Sequence, residues 1–277
     1  KRGFFILNKT KSVIFVQNNI MDYKNIISQN SNGICYLTIN RPKQLNALNG
    51  ATISELNKAI KKANDDKLVR CIILTGAENK AFVAGADIKE FASFDTVSGE
   101  GLAREGQELL FDLLANIGTP SIAAINGFAL GGGLELAMSC HMRIASTNST
   151  MGLPEVSLGV IPGYGGTQRL TSLVGKGKAM EMITTAGMLS AEDAKKWGLV
   201  NHICEQEELI SFAEKIASKI IRNSPNAIAK AIKSVNAGSI DVTNGFEVEK
   251  IEFGNCFGTP DFVEGTTAFM EKRKAKF

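Results

Sequence analysis

Histidine is almost absent from this chain. His141 and His202 are its only two in 277 residues. Neither stands at metal-ligand spacing from a second donor, so a histidine-based metal centre is excluded and both read as structural residues, one near a helix end and one in a strand. Cysteine is sparse and scattered. Cys35, Cys71, Cys140, Cys204 and Cys256 are odd in number and far apart, and most sit in apolar runs. That pattern points to buried reduced thiols in a reducing cytoplasm, with neither disulfides nor a cysteine metal site. Long apolar runs are missing as well. In the first twenty residues Phe4 to Leu7 and Val13 to Val16 are separated by Asn8-Lys9-Thr10-Lys11-Ser12, and neither reaches signal-peptide or membrane-spanning length. This stretch holds Lys1, Arg2, Lys9 and Lys11 and no acid, so it carries +4 of a formal net charge of +3 and leaves −1 for the rest. A near-neutral body gives no electrostatic case for nucleic acid. With one arginine the stretch is a poor organelle leader, and it ends before Met21-Asp22-Tyr23. Residues 1–20 are expected to be a dispensable extension, with the fold beginning near Met21.

The chain has glycine in quantity, 27 residues, and one stretch uses it conspicuously. Pro120-Ser121-Ile122-Ala123-Ala124-Ile125 reads as a buried strand. It leads through Asn126-Gly127-Phe128-Ala129-Leu130 into Gly131-Gly132-Gly133 and then into a helix beginning near Gly132, with Glu135 in its first turn among Leu134, Leu136, Ala137 and Met138. Three glycines at a helix start let a ligand approach the main chain closely, and the unpartnered N–H groups there favour an anion or a developing oxyanion. No Lys-Ser/Thr pair follows and the dinucleotide spacing is poorly met, so this is not a nucleotide loop.

Short apolar strands alternate with helices over the first two hundred residues. Strands are expected at Ile34 to Asn40, Cys71 to Gly76 and Met142 to Ala145. A helix over Ser54 to Asn64 has the apolar face Leu56, Ala59, Ile60 and Ala63, and a long helix is expected over residues 99–117. Ala81 to Glu90 is an apolar approach to a turn and a helix start capped by acid. Met151 to Leu170 mixes two prolines, five glycines and Glu155 in apolar surroundings, an ordered loop that lines something, with Arg169 as an ion-pair partner for Glu155 or a structural cap. Ser190 caps a further helix. Beyond residue 206 only helices follow, the first with the stripe Ile210, Ala213, Ile216, Ala217, Ile220 and Ile221. The expected layering is α/β or α+β around one core. No internal sequence repeat is evident.

The glycine-acid helix, Ala84-Gly85-Ala86-Asp87-Ile88-Lys89, Pro154-Glu155, the run from Ile161 to Leu170 and the ending Phe269-Met270-Glu271-Lys272-Arg273 stand in an order that resembles the enoyl-CoA hydratase/isomerase (crotonase) family, nearest to its short-chain hydratases. The resemblance covers about residue 32 to the C-terminus. It implies a spiral of ββα units over residues 21–205 holding the active site, and a helical region over 206–277 that builds homotrimers or hexamers. It implies a 2-enoyl-CoA substrate, a 3-hydroxyacyl-CoA product, and no cofactor, since coenzyme A is part of the substrate. By correspondence, the N–H groups of Ala86 and Gly132 form the oxyanion hole. Glu135 activates water and Glu155 supplies a proton at carbon 2. Ala47, Ala86, Asp87, Ile88, Lys89 and Gly132 bind the coenzyme, with Lys272 or Lys274 reaching its phosphates from a neighbouring subunit. Leu153 stands where many hydratases carry Gln, and His141 where Asp is usual. A 3,2-enoyl isomerase is the rival within the fold. An RNA-binding relative is the rival outside catalysis, and the body's charge of −1 argues against it.

Overall fold

The structure is a computed structural model that describes residues 23–240 and 242–277; the extension expected over residues 1–20 lies outside the described residues. The chain enters through a hairpin of β1 (Ile26–Ser31) and β2 (Ile34–Ile39), turning at Asn32-Gly33. Helix α1 (Gly50–Asp65) is capped by Asn49, whose side chain accepts from Thr52 N–H at 2.9 Å. It buries the expected face, Leu56, Ala59, Ile60 and Ala63. Leu56 and Ile60 are fully enclosed, each contributing about 1.5–3 kcal/mol of transfer free energy.

Three ββα units then follow. The first is β3 (Cys71–Gly76), β4 (Ala81–Val83) and the helical run α2 (Thr96–Gly106) to α3 (Asp112–Asn116). The second is β5 (Ser121–Ile125), β6 (Phe128–Leu130) and α4 (Gly132–Ser139). The third is β7 (Met142–Ser146), β8 (Thr150–Gly152) and α5 (Gly166–Thr185). In each unit the first strand joins a large sheet and the second a small one. The large sheet runs β1-β2-β3-β5-β7-β10, the last being His202–Cys204, and is parallel apart from the opening hairpin. The small sheet runs β4-β6-β8-β9, with β9 (Met188–Ser190) antiparallel at its edge. After β9 come α6 (Ala191–Lys196), capped by Ser190, and β10 (His202–Cys204). The structure thus repeats a unit that the sequence does not, because the three units differ in length and their second strands are three residues long.

Both faces of the large sheet are covered, as a parallel sheet requires. Ile72, Leu74, Ala123 and Ile125 face the main core with Leu37, Ile39 and Phe82. Their neighbours Cys71, Ile73, Ile122 and Ala124 face outward and are sealed by α7 (Leu209–Ile220) through Leu209, Ala213 and Ala217. The expected stripe on α7 begins one residue late: Leu209 is buried, and Ile210 is 36% exposed. This first helix of the C-terminal region is therefore a layer of the core. The later helices, α8 (Pro225–Ile240), α9 (Val242–Gly254) and α10 (Pro260–Met270), leave Phe246, Phe253, Val263 and Phe269 exposed.

The helix expected over 99–117 is helical as far as Asn116 but not uniformly α. Asp95 caps α2 by accepting from Ser98 N–H, and residues Gln107–Phe111 form a π-helical turn before α3. The added residue in that turn aims Gln107 and Phe111 at the third ββα unit. Gln107 Nε2 donates to the Gly163 carbonyl at 2.6 Å, and Phe111 stacks on Tyr164 with ring centroids 4.6 Å apart. No helix among the described residues is long and apolar enough to cross a membrane.

Candidate active site

The strand-glycine-helix stretch folds with one element more than expected. Between β5 and the glycines the chain enters the small sheet as β6, and the turn is made on Asn126. Its buried amide donates to the Gly76 and Glu78 carbonyls and accepts from Gly76 N–H. Gly131 then adopts φ 51°, a conformation glycine enters without steric cost, and α4 begins at Gly132. Every residue of α4 is buried. Glu135 is 1% exposed, so its carboxylate must be satisfied internally. Two amides do this: Tyr164 N–H and Gly166 N–H donate to its Oε1 at 2.8 and 2.7 Å.

Glu155 opens the 3-10 turn Glu155–Leu158 directly after Pro154. Its Oε1 lies 2.8 Å from where a Cβ on Gly131 would stand, and its Oε2 is buried without a hydrogen-bond partner. The two acids, twenty residues apart in sequence, feel one another. Burial first and the charge of Glu155 second push Glu135 up to about 7, against the two amides and Arg169. Burial also raises Glu155. The two raised carboxyls titrate as a pair.

Ala86 N lies 3.7 Å from where a Cβ on Gly132 would stand, so the two expected oxyanion donors are neighbours. Among the described residues neither N–H has a backbone acceptor. Around Ala86 the flanking groups are engaged with Leu48: Leu48 N–H donates to the Gly85 carbonyl, and Asp87 N–H to the Leu48 carbonyl. Gly132 adds the unpartnered N-terminus of α4. Tyr164 is 7% exposed, and its ring edge lies 3.5 Å from the Gly132 Cβ position, closing one side of this space.

Asp87 does not cap the turn that follows it, contrary to expectation. Its side chain makes no cap bond and instead pairs with Arg41 Nη2 at 3.0 Å. Arg41 Nη1 also donates to the Ala47 carbonyl, so one guanidinium ties together Ala47 and Asp87. In the sequence Arg41 reads only as the end of a strand before Pro42; its partners lie 6 and 46 residues on. Ile88 and Lys89 are exposed on the short turn Ile88–Glu90. Lys272 stands at an exposed turn past α10, beside an Arg273 tied to Glu264 and Glu271. Among the described residues no hydrogen bond or ion pair joins its side chain to the two acids.

Arg169 is not the partner of Glu155. It pairs with Asp112 at 2.6 Å and donates to the Tyr164 carbonyl at 2.8 Å. Leu153 is fully buried in the main core. His141 is structural: Ser121 N–H donates to its Nδ1 at 3.0 Å, and burial lowers its pKa to about 4, so it is neutral. All five cysteines are free thiols. Among the described residues no cluster of His, Cys, Asp or Glu suits a metal ion.

Comparison with known proteins matches residues 29–277 to the family described as enoyl-CoA hydratase/isomerase. The chain is 46% identical over 255 residues to a short-chain-enoyl-CoA hydratase of Clostridium acetobutylicum, covering 92% of this chain and 97% of that one. It is 44% identical over 258 residues to a crotonyl-CoA hydratase of Syntrophomonas wolfei, covering 93% and 99%. Among solved structures, an enoyl-CoA hydratase from Bacillus anthracis superposes with a TM-score of 0.85 at 37% identity, covering 92% of this chain and 99% of that one.

Proposed function

The chain belongs to the enoyl-CoA hydratase/isomerase family, and from that premise we propose that its two facing carboxylates add water across the 2,3 double bond of a 2-enoyl-CoA. The enzyme is a hydro-lyase of acyl-CoA metabolism, and its substrate is an acyl-CoA thioester. The observation that carries the assignment of roles is the convergence of three things: the buried Glu135 with the buried Oε2 of Glu155, two adjacent amides without backbone acceptors, and the Tyr164 ring beside Gly132.

In this reading the thioester oxygen sits between the N–H groups of Ala86 and Gly132. As water adds at carbon 3, negative charge moves onto that oxygen, and removal of one such donor typically costs ~2.7–4 kcal/mol of barrier. The water is held between Glu135 and Glu155. The reactive form is the one with the proton on Glu155, whose buried Oε2 has no donor, and the charge on Glu135, which two amides stabilise and which a pKa of about 7 leaves partly ionised at neutral pH. Glu135 takes one proton from the water as its oxygen bonds carbon 3, and Glu155 gives its proton to carbon 2. Passage of the gained proton from Glu135 to Glu155 restores the pair. No cofactor enters this chemistry.

The coenzyme lies along Ala47, Ala86, Asp87 and Ile88, with Lys89 near its nucleotide end and Lys272 or Lys274 reaching its phosphates from a neighbouring subunit. Assembly as a trimer, or a pair of trimers, is supported by the exposed Phe246, Phe253 and Phe269 of the late helices. Five free thiols support work in a reducing cytoplasm.

The test is loss of the conjugated enoyl-thioester absorbance with crotonyl-CoA, with Glu135→Gln and Glu155→Gln beside the wild type. Hydration by the wild type that collapses in both folded variants is the expected result. Double-bond migration without water addition would move the assignment to an isomerase.

A further inference from the structure

A line of contacts runs from the protein surface to Glu135, and the hydration chemistry makes no direct use of it. The two amides that hold the Glu135 carboxylate belong to Tyr164 and Gly166, on either side of Gly165. Arg169 Nη1 donates to the Tyr164 carbonyl at 2.8 Å, and Nη2 meets Asp112 Oδ1 at 2.6 Å. Gly165 has φ 92°, and a Cβ there would lie 2.1 Å from Arg169 Nη1, so the guanidinium fills the space a side chain would need. Phe111, next to Asp112, stacks on the Tyr164 ring. Residues 111 and 112 thus grip residue 164 twice, once by its ring and once, through Arg169, by its carbonyl. The π-helical turn that ends at Phe111 sets their direction.

We infer that Arg169, anchored by Asp112, is a positioning residue for hydration: it fixes the turn whose two amides hold Glu135, and sets its guanidinium behind that turn. The inference rests on the hydratase reading. Other charges near Glu135 are accounted for. Glu155 and the Tyr164 side chain are near enough for their charges and that of Glu135 to act on one another. Arg143, on β7 beneath α4, spends its guanidinium on the carbonyls of Leu199, Cys140 and Ala137. Strands β4 and β6, which also pack on α4, carry no ionisable side chain, and Glu108 of the π-helical turn is exposed.

The test is the pH profile of kcat/KM for Arg169→Met, Arg169→Lys and Asp112→Asn. Loss of the cation makes Glu135 hold its proton to higher pH, so Arg169→Met moves the acid limb up by roughly one pH unit. Asp112→Asn leaves the cation unbalanced and moves the limb down. Arg169→Lys keeps the charge but not the planar fork, so its limb stays while kcat falls by up to about a hundredfold, with KM little changed. Shifts of the same sign in Arg169→Met and Asp112→Asn, or none in either, would overturn the inference. An infrared titration of the protonated carboxyl band, assigned by its loss in Glu135→Gln, reads the same shifts without turnover. A wild type inactive toward enoyl-CoA would refute the proposed function and its hydration role for Arg169, while this titration separately tests whether Arg169 and Asp112 act on Glu135.

Discussion

Replacing Glu135 with Gln is expected to abolish hydration and yet make the protein more stable at alkaline pH. The carboxyl is raised from an ordinary 4.5 to about 7, burial being the first cause and Glu155 the second. Between those two values the native state holds a proton that the unfolded chain has released, so stability falls as pH rises through this window and the full cost is present above it. At about 1.4 kcal/mol per pH unit the displacement corresponds to roughly 3 kcal/mol. Gln keeps the shape, and its carbonyl oxygen accepts from Tyr164 and Gly166 as Oε1 does. Near pH 8 the variant gains most of that energy, which for a chain of this size is a rise in Tm of roughly 5–10 °C. Near pH 5 the wild-type carboxyl is mostly protonated and the two proteins differ little. Thermal unfolding followed by circular dichroism at both pH values, at one protein concentration so that subunit association contributes equally, measures the difference. A variant less stable than the wild type near pH 8, or offset equally at both, would refute the reasoning that burial and repulsion strain this acid.

Gly131→Ala puts a methyl group 2.8 Å from Glu155 Oε1 in a backbone with φ 51°. The expected result is a folded protein with kcat on crotonyl-CoA lowered about ten- to a hundredfold, read by steady-state kinetics. His141 is held neutral down to about 4, below its ordinary 6.5, so the unfolded chain takes up the proton first and stability falls as pH drops through that window. His141→Asn, which keeps an acceptor for Ser121 N–H, flattens this acid limb in urea titrations run from about pH 4 to pH 7. Phe269 is 85% exposed on α10, and Phe269→Asp lowers the mass found by sedimentation equilibrium if the late helices are the subunit interface.

The parts of the fold legible in the sequence are those whose burial leaves a period. Ile34 to Ile39, Cys71 to Gly76 and Ser121 to Ile125 are strands with deeply buried positions, and the face of α1 follows a 3.6-residue repeat. Strands β4, β6, β8 and β9 have three residues each, too few to show alternation, so β6 reads as part of the glycine turn and the small sheet is invisible. Hairpin strand β1 escapes because five of its six residues are exposed, although Asn32-Gly33 is a hairpin signal. The π-helical turn hides because its residues suit an α-helix equally well. In the candidate site, Glu135 and Glu155 stand out as acids in apolar company. Arg41 and Asp112 do not, and Arg169 is noticed but offered Glu155 as a partner, because what matters about all three is a partner 46 or 57 residues away.

The walls around the two acids are backbone. A Cβ on Gly131 would meet Glu155, one on Gly166 would lie 2.7 Å from Glu135, and one on Gly133 would meet the Val83 carbonyl at 1.9 Å. Mutation therefore has almost no vocabulary at the reacting centre, because nearly every side chain that could be written there collides. The flanking segments are permissive by contrast: Ile88, Phe94, Val97, Leu158, Val160 and Ile161 are all exposed. Substitution there meets no such collision, so the sequence is free to vary in these segments and held still at the glycine walls.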